Sequence, residues 1–394
     1  MLGAIIGDII GSPYEFDQNN IKTTIFPLFS EKSCFTDDTV MSIAVADGLI
    51  AGYGNEELTE KEIIKAMKKW AKEYPNAGYG LRFSQWVLSD ESTPYNSFGN
   101  GSAMRVSACA WLYNNLRDVE KYAEISARIT HNHPEGIKGA KATAAAIFLA
   151  RMGATKEYIK NYIIDTYEYI FKPCDEIRPD YHHVESCQET VPEAFAAFFE
   201  GNSFEEVIRL AISLGGDSDT LAAIAGSIAE AYYGIDESLS SEAFKYLDEN
   251  TVGFLTYYYE ALSGLRAEKI AAMNKIMEYK PFFDKREIVR WLPTNNRKTP
   301  EFFADYGQEV NDLIKLMNTP NFADFGYQKT IKRLKINSFK EAIPTANMLG
   351  LRAMLTSIIR RERFGVGTIS RAIADGLVSE ILERYQEIVN NVNI

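Results

Sequence analysis

The stretch that decides the fold is LGGDSDTLAAIAGSIAEAYY, residues 214–233. Its second part predicts a helix over 220–233 in which alanine and glycine recur on every side. A helix without a polar face is buried, and small side chains let its neighbours approach closely. A second helix of this kind is predicted over 134–152, where Pro134 suits the first turn. We therefore expect both helices at the centre of a compact bundle.

Helical periodicity extends over much of the chain, and strand-like alternation is scarce. We predict helices over 39–51 and 59–73, the latter beginning with a capping box of Thr59 and Glu62. Two more are predicted near the end, over 341–361 and 367–391. The chain is thus predicted to be all-α. Loops are predicted over 11–38, 74–105, 130–136, 171–190 and 214–219, where glycine, proline, asparagine and aspartate residues interrupt the helical pattern.

Charge divides the chain unevenly. The net charge is −12, yet residues 281–394 carry 17 Lys and Arg against 13 Asp and Glu, a net of +4, which leaves −16 on residues 1–280. This asymmetry predicts a boundary near residue 280. We expect the acidic part not to bind nucleic acid by bulk electrostatics, whereas a basic patch on the C-terminal part stays open.

Other features of the composition indicate an ordinary globular protein. The four cysteines form no C-x-x-C pair, so neither a zinc site nor a disulfide framework is predicted. The N-terminal run MLGAIIGDIIG has no basic n-region and is interrupted by Asp8, which makes it a poor signal peptide. No uncharged apolar run reaches about 18 residues, so no membrane span is predicted. We expect a cytoplasmic monomer.

Two acidic clusters carry the chemistry, Thr36-Asp37-Asp38-Thr39 and Asp217-Ser218-Asp219-Thr220. Each lies just before a predicted helix, and either cluster alone is equally well explained as a helix cap. Packed carboxylates repel one another unless a cation neutralises them. Carboxylate and hydroxyl oxygens suit Mg²⁺, Mn²⁺ or Ca²⁺ rather than zinc. Both clusters in one chain therefore favour a shared site for two metal ions.

Three further motifs have a functional and a structural interpretation. The loop Gly99–Arg105 either binds phosphate with free backbone amides or forms a tight turn. Arg105 pairs either with phosphate or with a structural carboxylate. We expect His182 and His183 to hydrogen-bond backbone, and Glu15 matters only if its loop folds over the metals.

These motifs together resemble those of the ADP-ribosylglycohydrolase family, of the type that includes dinitrogen-reductase-activating glycohydrolase. The resemblance covers most of residues 1–235, and the order of its blocks agrees. The blocks are GDIIGSPYEF (7–16), FTDDT (35–39), Gly99–Arg105, THNHPEGIKGA (130–140), VPEA (191–194) and LGGDSDT (214–220). It implies an all-helical bundle, predicted as a catalytic domain over 1–275. Residues 276–394 would form a small, mainly helical domain.

The resemblance also implies the residues of the site. One metal ion would be held by Thr36, Asp37, Asp38 and Asp219, and a second by Asp217, Asp219 and Thr220. Glu15 would lie near the scissile bond, so the predicted catalytic residues are Glu15, Asp37 and Asp219. Tyr95 or Phe98 could stack on adenine. The predicted contacts to the diphosphate and ribose are Phe98, Gly99, Asn100, Gly101, Ser102, Arg105 and His131.

The C-terminal part lies outside this resemblance. It faintly resembles a small uncharacterised bacterial family with an R-F-x-x-G pattern, here Arg363 to Gly367. The basic residues Lys329, Lys332, Arg333 and Lys335 bind an anionic partner or form a solvated helix face.

The predicted function is hydrolysis, dependent on two Mg²⁺ or Mn²⁺ ions, of the C1″ glycosidic bond of an ADP-ribosyl group. That group would be attached to a protein side chain, a nucleobase or a small molecule. Two alternatives stay open: a two-metal hydrolase of another nucleotide or phosphoester, and a non-catalytic ADP-ribose-binding protein.

Overall fold

The computed structural model describes residues 1–286, 290–293, 302–365 and 367–391. The chain divides into two compact units, Met1–Arg151 with Thr155–Ser263, and Met152–Ala154 with Gly264–Ile394. The predicted domain boundary at residues 275 and 276 stays a prediction. Among the described helices, none combines the length and the apolar character that a bilayer crossing requires.

The first unit is built from helices, which confirms the predicted fold class. Its helices are α1 (Leu2–Gly11), α2 (Asp37–Ala51), α3 (Glu56–Glu73), α4 (Leu81–Leu88), α5 (Gly101–Met104), α6 (Ser107–Leu112), α7 (Leu116–Arg128), α8 (Pro134–Arg151), α9 (Lys156–Tyr167), α10 (Cys174–Ile177), α11 (Cys187–Glu200), α12 (Phe204–Ser213), α13 (Ser218–Tyr233), α14 (Glu237–Ala243) and the part of α15 (Glu249–Met277) up to residue 263. Short 3₁₀ turns cover Ser12–Tyr14 and Phe244–Tyr246.

The predicted small-residue helix is α13, and it lies at the centre of this unit. Every residue of α13 from Ser218 to Ala229 is buried. It packs against α1, whose glycines allow almost direct backbone contact. A Cβ atom added at Gly7 would lie 2.2 Å from the carbonyl oxygen of Ala222, and one at Gly11 would lie 2.4 Å from the Cα of Asp219. The Gly7 and Gly11 positions therefore have room only for hydrogen, and they fix how α1 meets the start of α13.

Several predicted boundaries are wrong for local reasons. The helix expected from 59 begins at Glu56, because the side chain of Asn55 accepts a hydrogen bond from the Leu58 amide at 3.0 Å. Thr59 is instead buried inside the helix and donates to the Gly52 carbonyl. The predicted loop 74–105 contains α4 and α5. The helix α1 was not predicted.

The second unit combines helices with one short hairpin. Its elements are α16 (Lys280–Asp284), β1 (Arg290–Pro293), β2 (Phe302–Asp305), α17 (Gln308–Leu316), α18 (Tyr327–Arg333), α19 (Phe339–Ala342), a 3₁₀ turn (Ile343–Thr345), α20 (Met348–Arg361), α21 (Thr368–Ala374) and α22 (Leu377–Asn391). The two strands pair antiparallel, with Arg290 opposite Asp305. Buried apolar side chains of α17, α20, α21 and α22 form its core.

Both helices predicted near the end of the chain are interrupted. The 341–361 prediction covers α19, the 3₁₀ turn and α20, and α20 begins where Asn347 accepts a hydrogen bond from the Gly350 amide. The 367–391 prediction is divided at Gly376, whose φ of +81° ends α21 in the left-handed region. Of the Arg363 to Gly367 pattern, Val366 lies outside the described residues.

A half-buried glutamate on α11 leads to a prediction about stability. Burial raises the pKa of Glu193 to about 7, and its Oε2 has no hydrogen-bond partner among the described residues. The folded state therefore binds this proton more tightly than the unfolded state, so stability falls as pH rises from about 4.5 through 7. We expect Glu193→Gln to raise the melting temperature relative to wild type more at pH 8 than at pH 5. Each kcal/mol that the substitution adds to the free energy of unfolding should raise the melting temperature by about 2–4 °C.

Thermal melts of both proteins at the two pH values test this prediction. Glu176→Gln, a change at an exposed glutamate of α10, is the control and should behave like wild type at both values. An identical shift for Glu193→Gln at pH 5 and pH 8 would contradict the burial argument.

Candidate active site

Both acidic clusters lie at helix starts, and the structure brings them together. The first cluster opens α2 and the second opens α13. One carboxylate oxygen from each of Glu15, Asp217 and Asp219 lies within 4.8 Å of the other two, an arrangement that could hold a metal ion. The loop that carries Glu15 thus places this side chain beside the second cluster.

Asp8 organises the first cluster, a role that was not predicted for this residue. Its carboxylate accepts hydrogen bonds from the Thr36 amide at 2.8 Å and hydroxyl at 2.7 Å, and from the Thr39 amide at 3.1 Å and hydroxyl. Burial raises its pKa to about 6, against the effect of these bonds. The sequence did contain one indication of this role, the single aspartate within the apolar run MLGAIIGDIIG. A carboxylate that is buried in such a run requires hydrogen-bond donors. The Thr36 hydroxyl also accepts from the Asp38 amide, so the capping interpretation holds for Thr36.

The buried carboxylates destabilise one another. Burial, and after it the charge of Asp219, raises the pKa values of Asp37 and Asp38 well above the usual range. Burial raises the pKa of Asp217 to about 7, and burial followed by the charge of Asp217 raises the pKa of Asp219 well above its usual range. Such clustering is unfavourable unless protons or a cation neutralise it.

The donor set of this site fits a hard divalent cation. The Asp38 Oδ2 accepts from the Thr220 hydroxyl at 3.1 Å, whereas Asp38 Oδ1 is buried and has no hydrogen-bond partner among the described residues. A buried carboxylate oxygen without a donor is costly, and coordination would satisfy it. Oxygen ligands of this kind match the preference of Mg²⁺ and Mn²⁺.

A pocket of about 310 Å³ opens above these carboxylates. Asn100 connects the Gly99–Arg105 loop, which we call the glycine loop, to the second acidic cluster. The side-chain nitrogen of Asn100 donates to Asp217 Oδ2 at 2.7 Å. Two amides of the loop are already used, because Gly99 donates to Ser97 and Asn100 to the Glu185 carbonyl. Predicted site residues that line the pocket are Glu15, Asp37, Asp38, Asp217, Asp219, Thr220, Gly99, Asn100, Gly101, Arg105 and His131.

Arg105 and His131 form one buried network behind the glycine loop. The Arg105 guanidinium donates to the Ser126 carbonyl at 3.1 Å and to the Thr130 hydroxyl at 2.9 Å, while its Nε has no partner among the described residues. The Thr130 hydroxyl lies 2.7 Å from His131 Nδ1. Burial lowers the pKa of His131 well below its usual value. The Thr130 hydroxyl therefore connects the Arg105 guanidinium to the His131 ring.

Three predicted site residues do not reach the pocket lining. Ser102 is fully buried and donates to the Gly136 carbonyl. Thr36 is bound to Asp8. Phe98 is 48% exposed, and its ring lies edge-on to that of His133. Of the two candidate stacking residues, Tyr95 lines the pocket, and the Arg82 guanidinium lies 4.9 Å from the centre of its ring.

His183 also lines the pocket, contrary to the prediction that its side chain bonds backbone. Its ring lies 3.2 Å from the Glu185 carboxylate and 5.1 Å, between centroids, from the ring of Phe16. His182 agrees with the prediction, since its ring faces the Asp180 carbonyl.

Comparisons with known proteins match two families to the chain. The family model described as ADP-ribosylglycohydrolase matches residues 1–272, and that of a family of unknown function, DUF6508, matches residues 271–391. The ADP-ribosylhydrolase ARH3 of Homo sapiens is 27% identical over 314 residues, which cover 60% of this chain and 85% of that protein. The ADP-ribosylarginine hydrolase Tri1 of Pseudomonas putida is 27% identical over 265 residues, which cover 60% and 70%.

A solved structure has the same fold. The "ADP-ribosylglycohydrolase-related protein complex" aligns with a TM-score of 0.50 at 24% identity, over 67% of this chain and 96% of that one. The family model spans well over half of the 394 residues and includes both acidic clusters. The resemblance is confirmed, and the chain belongs to the ADP-ribosylglycohydrolase family.

Proposed function

We propose that this protein hydrolyses the C1″ glycosidic bond of an ADP-ribosyl group attached to a protein side chain, a nucleobase or a small molecule, and that it does so with two divalent cations. The observation that carries the proposal is the convergence of Glu15, Asp217 and Asp219 within 4.8 Å at the floor of a pocket. Relatives named as ADP-ribosyl hydrolases support the choice of substrate.

The residues proposed to hold Mg²⁺ or Mn²⁺ come from the two helix starts. Thr36, Asp37 and Asp38 would serve one ion and Asp217 and Thr220 the other, with Asp219 shared. When bound, such ions bind sugar hydroxyls and lower the pKa of a coordinated water. The protein keeps these ligands in place through Asp8, which binds Thr36 and Thr39, and through Asn100, which binds Asp217.

Glu15 is proposed to move the proton that cleavage requires. Burial, followed by the charge of Asp219, raises the pKa of Glu15 to about 8, and a cation nearby would lower it. Its carboxyl can therefore exchange a proton near neutral pH, as a general acid or base does. Bond cleavage would pass through an oxocarbenium-like state, as in other glycoside hydrolysis.

The rest of the pocket is proposed to hold the parts of the substrate that do not react. Arg105 and His131 would contact the diphosphate, and Tyr95 would offer a ring face to the adenine. Binding energy from these distant groups can be used to orient the C1″ bond against Glu15. The side chains Phe16, His183 and Glu185 also line the pocket and are proposed to contact the leaving group.

Metal removal provides the first test. We expect treatment with EDTA to lower turnover of ADP-ribosyl-arginine or ADP-ribosyl-serine substrates at least about tenfold, and Mg²⁺ or Mn²⁺ to restore it. Because a bound cation neutralises buried carboxylates, the same ions should raise the melting temperature of the EDTA-treated protein. Addition of KCl at equal ionic strength is the control. Undiminished turnover after complete metal removal would refute the proposed metal dependence.

Product analysis separates this proposal from the two alternatives. Glycosidic cleavage releases intact ADP-ribose and the unmodified acceptor. A phosphoester hydrolase would instead release AMP or phosphate, and a non-catalytic protein would bind ADP-ribose in calorimetry without turnover.

A further inference from the structure

One side chain, that of Asn20, connects the loop that carries Glu15 to the loop that precedes α13. Its amide nitrogen lies 2.7 Å from the Tyr14 carbonyl oxygen, 2.9 Å from that of Phe16 and 3.0 Å from that of Gly216. Its amide oxygen accepts a hydrogen bond from the Gly216 amide at 2.5 Å. Asn20 therefore binds the backbone on both sides of Glu15 and, at the same time, one residue of the acidic loop.

The chemistry of this contact requires an amide. An asparagine side chain offers two N–H hydrogens and one acceptor oxygen, and here the two hydrogens are shared among three carbonyls while the oxygen faces an N–H group. The reversed orientation would place the amide oxygen against three carbonyl oxygens, so the surroundings fix the orientation. An aspartate of the same shape at position 20 would keep the acceptor and lose every donor.

The acidic loop is bent so that it can meet Asn20. Gly215 and Gly216 have φ values of +80° and +73°, in the left-handed region that side chains disfavour. A Cβ atom at Gly215 would lie 2.7 Å from the Asn20 amide oxygen. The loop of Glu15 is also bent, since Phe16 has a φ of +64°. Non-glycine residues hold such a conformation only where surrounding contacts enforce it, and the bond from Asn20 to the Phe16 carbonyl is one such contact.

A second side chain strengthens the same connection. The ammonium group of Lys22 lies 2.5 Å from the Leu214 carbonyl oxygen and 2.6 Å from that of Tyr181. The Ser218 hydroxyl adds a bond to the Tyr14 carbonyl at 3.1 Å. The two loops thus share several bonds, of which only those of Asn20 reach both neighbours of Glu15.

We propose that Asn20 is a positioning residue, which sets the distance between the Glu15 carboxyl and the Asp217–Asp219 pair. The inference rests on the proposed function, in which Glu15 must reach the scissile bond beside these carboxylates. Asn20 is not among the residues that line the pocket, so it acts through the backbone of the Glu15 loop. Its loss should lower kcat and leave KM nearly unchanged, because Arg105, His131 and Tyr95 belong to other segments.

The test compares Asn20→Asp and Asn20→Ala with wild type, at a temperature where circular dichroism shows all proteins folded. Displacement of a catalytic group by about 1 Å can cost about 10²-fold in rate, and we expect kcat to fall about 10–100-fold with KM within about twofold. The matched control is Asn19→Ala. The side-chain amide of Asn19 donates to the Glu15 carbonyl at 3.0 Å, within the loop, and makes no bond to the acidic loop among the described residues, so this variant should stay within about threefold of wild type.

A double variant separates positioning from a general structural role. If Asn20 acts through Glu15, then Glu15→Gln combined with Asn20→Asp should be no slower than Glu15→Gln alone, within about twofold. Independent losses that multiply, or a wild-type kcat in both Asn20→Asp and Asn20→Ala, would overturn the inference.

Hydrogen exchange tests the contact between Asn20 and Gly216 without any measurement of turnover. The Gly216 amide should exchange at least about tenfold faster in Asn20→Ala, which lacks the acceptor oxygen, than in wild type, and Asn19→Ala should leave it unchanged. Equal exchange in wild type and Asn20→Ala would overturn the inference, whether or not the protein is active. If wild type cleaves no ADP-ribosyl substrate while the exchange result holds, the proposed function fails and the contact between the loops stands.

Discussion

Replacement of Asp219 by asparagine should lower kcat/KM for ADP-ribosyl substrates by about 10²–10³-fold, the loss expected when several kcal/mol of metal-based stabilisation disappear. Asp219 has a carboxylate oxygen within 4.8 Å of those of Glu15 and Asp217, and its charge raises the pKa values of Asp37 and Asp38. We therefore propose Asp219 as the residue that both metal ions share. Steady-state kinetics with saturating Mg²⁺ measures the effect.

The same variant should remain folded, which distinguishes a lost site from a lost structure. Removal of one buried negative charge relieves repulsion, so without divalent cations the melting temperature should be no lower than that of wild type. Asp236→Asn, which changes an exposed aspartate at the start of α14, should leave kinetics and stability unchanged. Wild-type turnover by the Asp219→Asn variant would show that the assignment of this residue is wrong.

Gly7→Ala should destabilise the protein by at least about 3 kcal/mol and lower its melting temperature by about 6–12 °C. The added methyl group would lie 2.2 Å from the Ala222 carbonyl oxygen and 2.7 Å from the Ala223 nitrogen. These are backbone atoms of α13, so they cannot move aside as a flexible side chain would. Relief of the clash requires α1 and α13 to separate, which exposes the buried isoleucines of α1.

Gly253→Ala is the matched control, because Gly253 also lies inside a helix but has no atom within 4 Å of an added Cβ. Alanine is the better helix former, so this variant should be about 0.5–1 kcal/mol more stable than wild type. Denaturant titration of both variants measures the difference. Equal stability of Gly7→Ala and Gly253→Ala would show that α1 and α13 are not in close contact.

Composition alone predicted the centre of the fold and missed its partner. The small residues after Thr220 identified α13 because a buried helix can be recognised from its own residues. The segment of α1 is apolar on all sides and contains three glycines, which are weak helix formers, so neither periodicity nor propensity indicated a helix. Its spacing of glycines at 3, 7 and 11 has meaning only beside the backbone of α13, more than 200 residues away.

The site was predictable where adjacent residues form a pattern, and hidden where one residue acts alone. Two carboxylates beside a helix start are visible in sequence, and Asp37 and Asp217 lie at the pocket as expected. Asp8 and Asn20 are single polar residues whose partners are 28 and 196 positions away. Only the folded chain shows that Asp8 binds the threonines of the first cluster and that Asn20 binds the loop that precedes the second.

The pairing of α1 with α13 has a consequence for synthesis in the cell. At about 5–20 residues per second, the ribosome releases α1 roughly 10–40 s before the end of α13. During this interval Ile5, Ile6, Ile9 and Ile10, all fully buried in the folded chain, lack the helix that covers them. The nascent chain therefore presents an apolar segment to chaperones for most of the translation of its first unit, and truncation before residue 233 would leave that segment permanently uncovered.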